Sequence, residues 1–353
     1  MRKTNEKLNQ KSVNAMLQYL IILLSDRSTS FCSLTPSPSP KGEGSSKIIP
    51  LDTLRRGIRF AMRENLMIQF VYPEEELPRE ILDEIETIDH SKIKAHPNPP
   101  KGRERESDAD VLVLNGWETL ASDCKSEATG FAVPLVLRTA KAELFERYGE
   151  LKAVLERTPR LNVVITDLET FTDADFGKYK AVLSELSAVL EQLYADGKSP
   201  QLNLLTDRMM LGEMNNCGAG DTTLTLAPNG KFYVCPAFYY DDEADSVGDI
   251  NAPDFRSADD LDVRNRQLYK LDHAPICRHC DAWQCKRCVW LNRKTTLEVN
   301  TPSHEQCVVA HLERNASREL LQGIRKHGTF LPEQEEIKEL DYLDPFDKRD
   351  EWR

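Results

Sequence analysis

The chain has 353 residues, of which 40% are hydrophobic and 29% are charged, and its formal net charge is −12. This length is sufficient for one large or two medium-sized domains with buried cores. The composition is ordinary for a globular protein in water. The acidic charge argues against a nucleic-acid-binding protein, because such a protein needs a basic surface to displace counterions from phosphates.

The N-terminal residues predict an extension followed by a buried strand. Residues 1–15 are polar and carry no periodic pattern, so we expect a disordered extension, with Met16 as an alternative start. The apolar run at residues 16–24 is too short to span a bilayer and lacks a small-residue cleavage site, which favours a strand over a signal peptide. We therefore expect a cytoplasmic protein with no membrane partner, whose thiols stay reduced and whose clustered cysteines bind metal.

Residues 16–210 show the alternation typical of a parallel β/α domain. Apolar runs rich in β-forming residues occupy residues 19–24, 67–72, 110–114, 132–137, 161–166 and 202–205. Helical periodicity occupies residues 51–65, 78–88, 140–157 and 174–195. Such alternation predicts parallel strands with functional groups at their carboxyl ends. An open sheet and a partial (β/α)6-type barrel both fit the pattern.

Two proline-rich stretches, near residues 35–46 and 96–107, interrupt this domain, and each has a proline cluster followed by Lys-Gly. Neither can form a helix or a strand, because proline lacks the backbone donor and fixes φ. The two stretches are either low-complexity insertions or ordinary loops, and neither interpretation assigns them a chemical function.

From about Leu211 the pattern changes, and seven of the nine cysteines lie beyond this point. We expect a small cysteine-rich domain over residues 211–310, and a C-terminal helix and acidic tail over residues 311–353, the helix beginning near residue 305. Residues 223–227 and 231–234 flank the turn sequence Pro-Asn-Gly and predict a hairpin. This hairpin would carry Cys217 and Cys235 towards each other.

The other five cysteines have the spacing Cys277-x2-Cys280-x4-Cys285-x2-Cys288, followed by Cys307. Disulfides are disfavoured in a reducing compartment. A zinc site usually separates its two Cys-x2-Cys pairs by more residues, although zinc stays open as an alternative. Iron–sulfur ligation tolerates dense runs of cysteine, because the cluster itself is large. The spacing therefore favours an iron–sulfur site.

The order of all seven cysteines, beginning with Cys217-x12-Gly230-x4-Cys235, resembles the SPASM domain of radical S-adenosylmethionine enzymes that modify ribosomally made peptides. Two spacings after Cys280 are one residue shorter than is usual in that family. Together with residues 17–24 and 49–72, the domain is similar to the maturase group associated with CXXX-repeat peptides. The resemblance implies maturation of a small ribosomal precursor peptide, and it leaves a partner maturation protein open.

The same resemblance implies two auxiliary [4Fe–4S] clusters that transfer electrons or bind substrate. The implied ligands of auxiliary cluster I are Cys217, Cys235 and Cys288. The implied ligands of auxiliary cluster II are Cys277, Cys280, Cys285 and Cys307. Relatives often supply a further cysteine just before Cys217, but residues 208–216 contain none. Cluster I would then have an open iron or a ligand such as Glu213 or Asp221, or would be absent.

A further departure concerns the cysteines that bind S-adenosylmethionine (AdoMet) in these enzymes. They lie in a Cys-x3-Cys-x2-Cys loop after the first strand, whereas this chain has only Cys32 and Cys124 before Cys217. Three thiolates are needed there, so AdoMet is a doubtful cofactor and no catalytic residue is assigned. The functions that stay open are a peptide maturase, a non-catalytic peptide-binding scaffold derived from one, and a structural zinc protein.

Other polar and aromatic residues carry weaker signals. Three acids follow predicted strands, where capping or loop roles are favoured over chemistry: Asp167, Glu169 and Asp207. Four histidines surround the cysteines, and outer positions are favoured over ligation: His273, His279, His304 and His311. Four basic residues either offset the charge of a cluster or form a solvated face: Arg278, Lys286, Arg287 and Arg293. Two tryptophans either shield a cluster or pack the core: Trp283 and Trp290.

Overall fold

A computed structural model describes residues 17–29, 47–95, 109–117 and 133–337. Its strands are β1 (Tyr19–Leu23), β2 (Met67–Tyr72), β3 (Ser91–Ala95), β4 (Val111–Asn115), β5 (Leu135–Thr139), β6 (Arg160–Ile165), β7 (Gln201–Leu202), β8 (Thr223–Leu226), β9 (Lys231–Tyr233) and β10 (Gly248–Asp249). Its α-helices are α1 (Leu51–Glu64), α2 (Arg79–Ile85), α3 (Lys141–Arg147), α4 (Leu151–Leu155), α5 (Asp173–Ala195), α6 (Asp207–Met210), α7 (Pro236–Asp241), α8 (Val289–Thr296) and α9 (His304–Arg325). No helix in the described ranges is long and apolar enough to cross a membrane.

The chain forms two compact units, each made of two separate segments. The first unit comprises Met1–Val113 and Gly218–Lys270, and the second comprises Leu114–Cys217 and Leu271–Arg353. The expected consecutive division at about residue 211 stays a prediction. The expected N-terminal extension and the two proline-rich stretches lie outside the described residues.

The first unit contains a sheet in the order β10-β9-β8-β1-β2-β3-β4. Strand β1 pairs in parallel with both β2 and β8, with Leu20 opposite Ile68 and Leu224. The predicted hairpin is confirmed, since β8 and β9 pair antiparallel around the turn at Gly230, where φ is +80°. Helix α1 covers this sheet at Gly57, which is close enough to Leu226 that an added Cβ would lie 2.4 Å from its Cδ2 atom.

The second unit contains the parallel strands β5, β6 and β7. Its two longest helices, α5 and α9, pack closely: a Cβ added to Gly323 would lie 2.5 Å from Glu191 Oε2. Helix α5 begins at a capping box in which the Thr172 hydroxyl accepts from the Asp175 amide and the Asp175 carboxylate accepts from the Thr172 amide. The Lys141 ammonium, 2.8 Å from Asp175, is the largest cause that lowers the pKa of this carboxyl to about 2.

The mixed α/β class with a parallel sheet is confirmed, and most predicted elements form within a few residues of their expected bounds. Three differences have local causes. The predicted helix at residues 140–157 is broken by a 3₁₀ turn at Tyr148–Glu150. Strand β3 escaped prediction because two lysines flank Ile93, the only large apolar residue of the strand. Strand β7 ends at Leu202 because the Thr206 hydroxyl accepts from the Leu202 amide and donates to its carbonyl, which closes a turn.

Candidate functional site

The cysteine segment at residues 277–288 lies in the second unit and folds as successive tight turns. Cys277–His279 forms one 3₁₀ turn, and the Cys280 amide donates to the Cys277 carbonyl at 3.0 Å. The Cys285 amide closes the next turn on the Ala282 carbonyl at 2.9 Å. Burial, together with the nearby Cys277 and Cys280, raises the pKa of the Cys285 thiol to about 12. The Cys277 and Cys280 thiols therefore both lie near that of Cys285.

Helix α9 forms one wall of this segment. The Cys280 Sγ atom lies 3.4 Å from His311 Nε2. Farther along the segment, Gln284 Nε2 donates to the Ala310 carbonyl at 2.7 Å. Because His311 follows Cys307 by four residues, the two side chains share one face of the helix. The segment that holds Cys277, Cys280 and Cys285 is thus placed against the helix that carries Cys307.

Cys217 lies beside the second half of the same segment. Its amide donates to the Lys286 carbonyl at 3.0 Å, and the Asn215 amide donates to the Trp283 carbonyl at 2.8 Å. Cys288, two residues beyond Lys286, immediately precedes α8. The remaining cysteine of the resemblance, Cys235, is buried in the first unit, directly before α7.

Buried charges surround the cysteine segment. Asp281 makes an ion pair with Arg314 at 2.9 Å and a longer one with Arg208 at 3.8 Å, and all three side chains are buried. The Arg208 guanidinium also stacks 3.9 Å above the centre of the Trp283 ring. Burial lowers the pKa of Arg208, whereas Asp281 and Cys280 oppose that shift. Two guanidinium groups thus lie beside Asp281, the residue that follows Cys280.

The basic residues of the segment do not all form a solvated face. Arg287 is fully buried and adopts the left-handed backbone conformation, with a φ of +45°. Its Nε atom donates to Asn216 Oδ1 at 2.8 Å, which fastens the stretch before Cys217 to the cysteine segment. The interpretation as a solvated basic face is therefore wrong for Arg287, because its guanidinium serves as an internal link.

A half-buried glutamate that sequence reasoning missed lies next to the segment. Glu313 accepts a hydrogen bond from the Tyr179 hydroxyl at 2.7 Å and lies 3.5 Å from Gln284 Nε2. Burial raises its pKa to about 7, against the lowering effect of these two hydrogen bonds. A signal was present in the sequence, since Glu313 interrupts the apolar stripe that Val309 and Ala316 define on α9.

The acids after predicted strands hold structural partners within the second unit. Asp167 accepts from the Lys141 amide at 2.8 Å and so caps α3. Glu169 pairs with Lys294 at 2.6 Å. Asp207 receives two hydrogen bonds of 2.9 Å from one nitrogen of Arg160. These contacts support the capping and loop roles over a chemical one.

The histidines, the tryptophan and the acids that the sequence suggested as neighbours or alternative ligands of the clusters lie in different parts of the fold. His304 begins α9 and packs edge-on against Phe176, and the His273 carbonyl accepts from Asn300. Trp290 is buried in α8 with Lys294 over its ring. Glu213 is exposed in the second unit. Asp221 lies in the first unit, where its Oδ1 atom is buried without a hydrogen bond.

A polar cluster at the carboxyl ends of β1 and β2 was also missed. In the first unit the Ser25 hydroxyl donates to Glu75 Oε1 at 3.1 Å, and the Ser28 hydroxyl donates to the Val71 carbonyl at 2.8 Å. The Tyr240 hydroxyl donates to the Ser28 carbonyl. These bonds hold the chain that leaves β1 against the end of β2. Cys32, which follows on this connection, lies outside the described residues, as does Cys124.

Seven cysteines in the described ranges form no disulfide. Among the described residues, no group of three or more His, Cys, Asp or Glu side chains converges on one metal-ion position. A [4Fe–4S] cluster is larger than an ion and is held by four separate thiolates. Cys277, Cys280 and Cys285 lie on one segment that packs against the helix with Cys307, and these four thiols are the number that such a cluster needs.

Comparison with solved structures finds this fold in anSMEcpe. The hexahistidine-tagged protein with bound AdoMet matches with a TM-score of 0.58 and 13% identity, over 88% of this chain and 99% of that chain. The native protein with bound AdoMet and the Kp18Cys peptide gives a TM-score of 0.58 and 12% identity, over 87% and 99%. With the Cp18Cys peptide the values are 0.56 and 15%, over 87% and 99%. No protein-family model and no curated protein matches the chain.

Proposed function

We propose that this chain takes part in the maturation of a peptide, as a radical AdoMet/SPASM-like protein whose cysteine segment holds auxiliary cluster II. The observation that carries the proposal is the packing of that segment on α9, where Cys280 contacts His311 one turn beyond Cys307. Further support comes from the order of the seven cysteines. The shared fold with anSMEcpe, a protein crystallised with AdoMet and with peptides, supports the same assignment.

In this proposal the cluster is held by Cys277, Cys280, Cys285 and Cys307. When bound, it would supply one-electron transfer, since four thiolates leave none of its irons open to a substrate group. The chain's own groups make the place suitable for it. Arg208 and Arg314 provide positive charge against an anionic ligand set, and Arg208 stacks on Trp283 beside the segment. Such surroundings influence the potential of an iron–sulfur cluster.

The proposed partner is a small precursor peptide. The anSMEcpe structures contain the Kp18Cys and Cp18Cys peptides, so this fold accommodates peptide ligands in that protein. For the present chain a suitable probe is a synthetic peptide with several Cys-x3 repeats, labelled for fluorescence anisotropy. Saturable binding that is lost when serine replaces the cysteines of the peptide would support the proposal. Absence of binding to the iron-loaded protein would refute the choice of cysteine-repeat peptides.

The metal content tests the site directly. The full chain is purified without oxygen, and iron, sulfide and zinc are measured together with the visible spectrum. About four or eight irons per chain, with equal sulfide, are expected. A Cys285→Ala variant should lose about four irons, whereas an Asp262→Ala variant, altered at an exposed acid of the first unit, should lose none. Stoichiometric zinc without iron would refute the cluster and support a structural zinc protein.

A non-catalytic peptide-binding scaffold is the second candidate. It is favoured by the sequence, which has only Cys32 and Cys124 before Cys217 and so no Cys-x3-Cys-x2-Cys loop. Incubation of the reduced, iron-loaded chain with AdoMet distinguishes the two candidates. Release of 5′-deoxyadenosine would support radical chemistry in this chain. Peptide binding without such release would support the scaffold, or a maturase whose radical step belongs to a partner protein.

A further inference from the structure

The contact between Cys280 and His311 places an imidazole nitrogen against a sulfur atom that the proposed function assigns to auxiliary cluster II. The Cys280 Sγ to His311 Nε2 distance of 3.4 Å lies within hydrogen-bond range for sulfur. The Cys280 sulfur also accepts from the Ala282 amide at 3.4 Å. Two nitrogen atoms, the His311 Nε2 atom and the Ala282 amide nitrogen, therefore face the Cys280 sulfur.

Helix α9 holds the imidazole in this place. His311 lies one turn after Cys307, and Arg314 follows on the same side of the helix. Arg314 is fixed by its ion pair with Asp281, the residue next to Cys280. The Gln284 side chain is bound to the backbone at Ala310, the residue before His311. The ion pair of Arg314 with Asp281 and the hydrogen bond of Gln284 to the Ala310 backbone thus hold the segment against α9 on either side of the Cys280–His311 contact.

We propose that His311 is a positioning residue that donates its Nε2–H to the Cys280 sulfur and raises the reduction potential of auxiliary cluster II. This inference rests on the proposed function, since it needs the cluster. Reduction adds one electron to the cluster and its sulfur ligands, so a hydrogen bond to sulfur becomes stronger in the reduced state. Hydrogen bonds to the sulfurs are among the features that set the potentials of such clusters.

The principal alternative is that His311 is itself a ligand. A tetrahedral zinc ion bound at about 2.3 Å to sulfur and about 2.0 Å to nitrogen would separate the two atoms by roughly 3.5 Å, which is close to the observed distance. Cys307, however, already provides a fourth thiol on the same helix face. The hydrogen-bond interpretation therefore accounts for the contact without displacing any of the four cysteines.

The test compares three variants of the anaerobically purified full chain by redox titration followed with electron paramagnetic resonance. His311→Leu removes the donor, His311→Gln keeps an N–H donor, and His327→Gln changes an exposed histidine that pairs with Glu191. We expect the Leu variant to keep its iron but to show about a tenfold lower ratio of reduced to oxidised cluster at a fixed potential, which is 59 mV for one electron. The Gln variant at 311 should recover most of this loss, and the control should match the unsubstituted protein.

If the His311→Leu variant does not fold, the hyperfine coupling between nitrogen and the cluster, measured by electron paramagnetic resonance on the unsubstituted protein, still tests the inference. With ¹⁵N-histidine in the unsubstituted protein, a weak nitrogen coupling and an exchangeable proton coupling to the reduced cluster would support the hydrogen bond. A strong coupling typical of a metal-bound nitrogen, or loss of metal in His311→Leu, would identify a ligand and overturn the inference. An iron-loaded Leu variant with an unchanged potential would also overturn it. Zinc without iron in the unsubstituted protein would instead refute the proposed function, so the two failures are distinguishable.

Discussion

The half-buried Glu313 should make the stability of the fold depend on pH. Its pKa is raised from the ordinary value of 4.5 to about 7, chiefly by burial. In the unfolded chain this group ionises near its ordinary value. Its contribution is therefore fully present below about pH 4.5 and declines as the pH rises towards 7, because the folded state binds the proton more tightly.

The magnitude follows from the two pKa values. They differ by about 2.5, and at about 1.36 kcal/mol for each unit of pKa the ionised carboxylate costs the fold at most about 3.4 kcal/mol above pH 8. Between pH 5 and pH 8 the expected loss is about 2.5 kcal/mol. Glutamine at this position keeps an oxygen that can accept from the Tyr179 hydroxyl, which donates to Glu313 at 2.7 Å. The Glu313→Gln variant should therefore lack this loss.

Urea denaturation of the full chain at pH 5, 6, 7 and 8 measures the effect. Comparing the change with pH in each protein cancels the contribution of all other titrating groups. Glu319→Gln is the matched control, because Glu319 is an exposed carboxyl of the same helix. Equal pH dependence in Glu313→Gln and the unsubstituted protein would refute the reasoning. If the unfolding free energy falls more steeply with pH in Glu313→Gln than in the control, a group other than Glu313 causes the pH dependence.

Two further predictions concern packing and buried charge. Gly57→Ala should cost about 1–3 kcal/mol, because the new Cβ would lie 2.4 Å from the buried Leu226. Gly177 lies in α5, and a Cβ added there meets nothing within 4 Å, so Gly177→Ala should instead stabilise the fold by up to about 1 kcal/mol. Similar changes in the unfolding free energy of the two alanine variants in urea would contradict this account. Asp281→Asn should cost about 3–5 kcal/mol, because it leaves the buried guanidinium groups around it without a carboxylate. Asp262→Asn breaks an exposed ion pair with Arg264 and should cost less than about 1 kcal/mol. Equal losses of stability in the Asp281 and Asp262 variants would show that burial does not decide the cost.

Much of the fold was predictable because the responsible signals are local. The apolar period of α1 and the turn sequence at Gly230 each depend on residues a few positions apart, and both elements form as predicted. The end of β7 was not predictable from hydrophobicity, since the Thr206 side chain decides it by closing a turn on Leu202. Strand β3 forms because β2 and β4 pair with its backbone, although its own residues barely favour a strand.

For the candidate site, the sequence by itself determined the donor set: seven cysteines in a definite order, with Cys277, Cys280 and Cys285 close along the chain. Tertiary structure decided what surrounds them. His311 reaches Cys280 from 31 positions away, and Tyr179 meets Glu313 across 134 positions. Contacts at such separations depend on how α9 packs against α5 and the cysteine segment, which no local pattern encodes. The spacing of the cysteines was therefore sufficient to predict the thiol donors. The neighbouring groups that influence the charge and the reduction potential of a site at these thiols could be identified only from the tertiary structure.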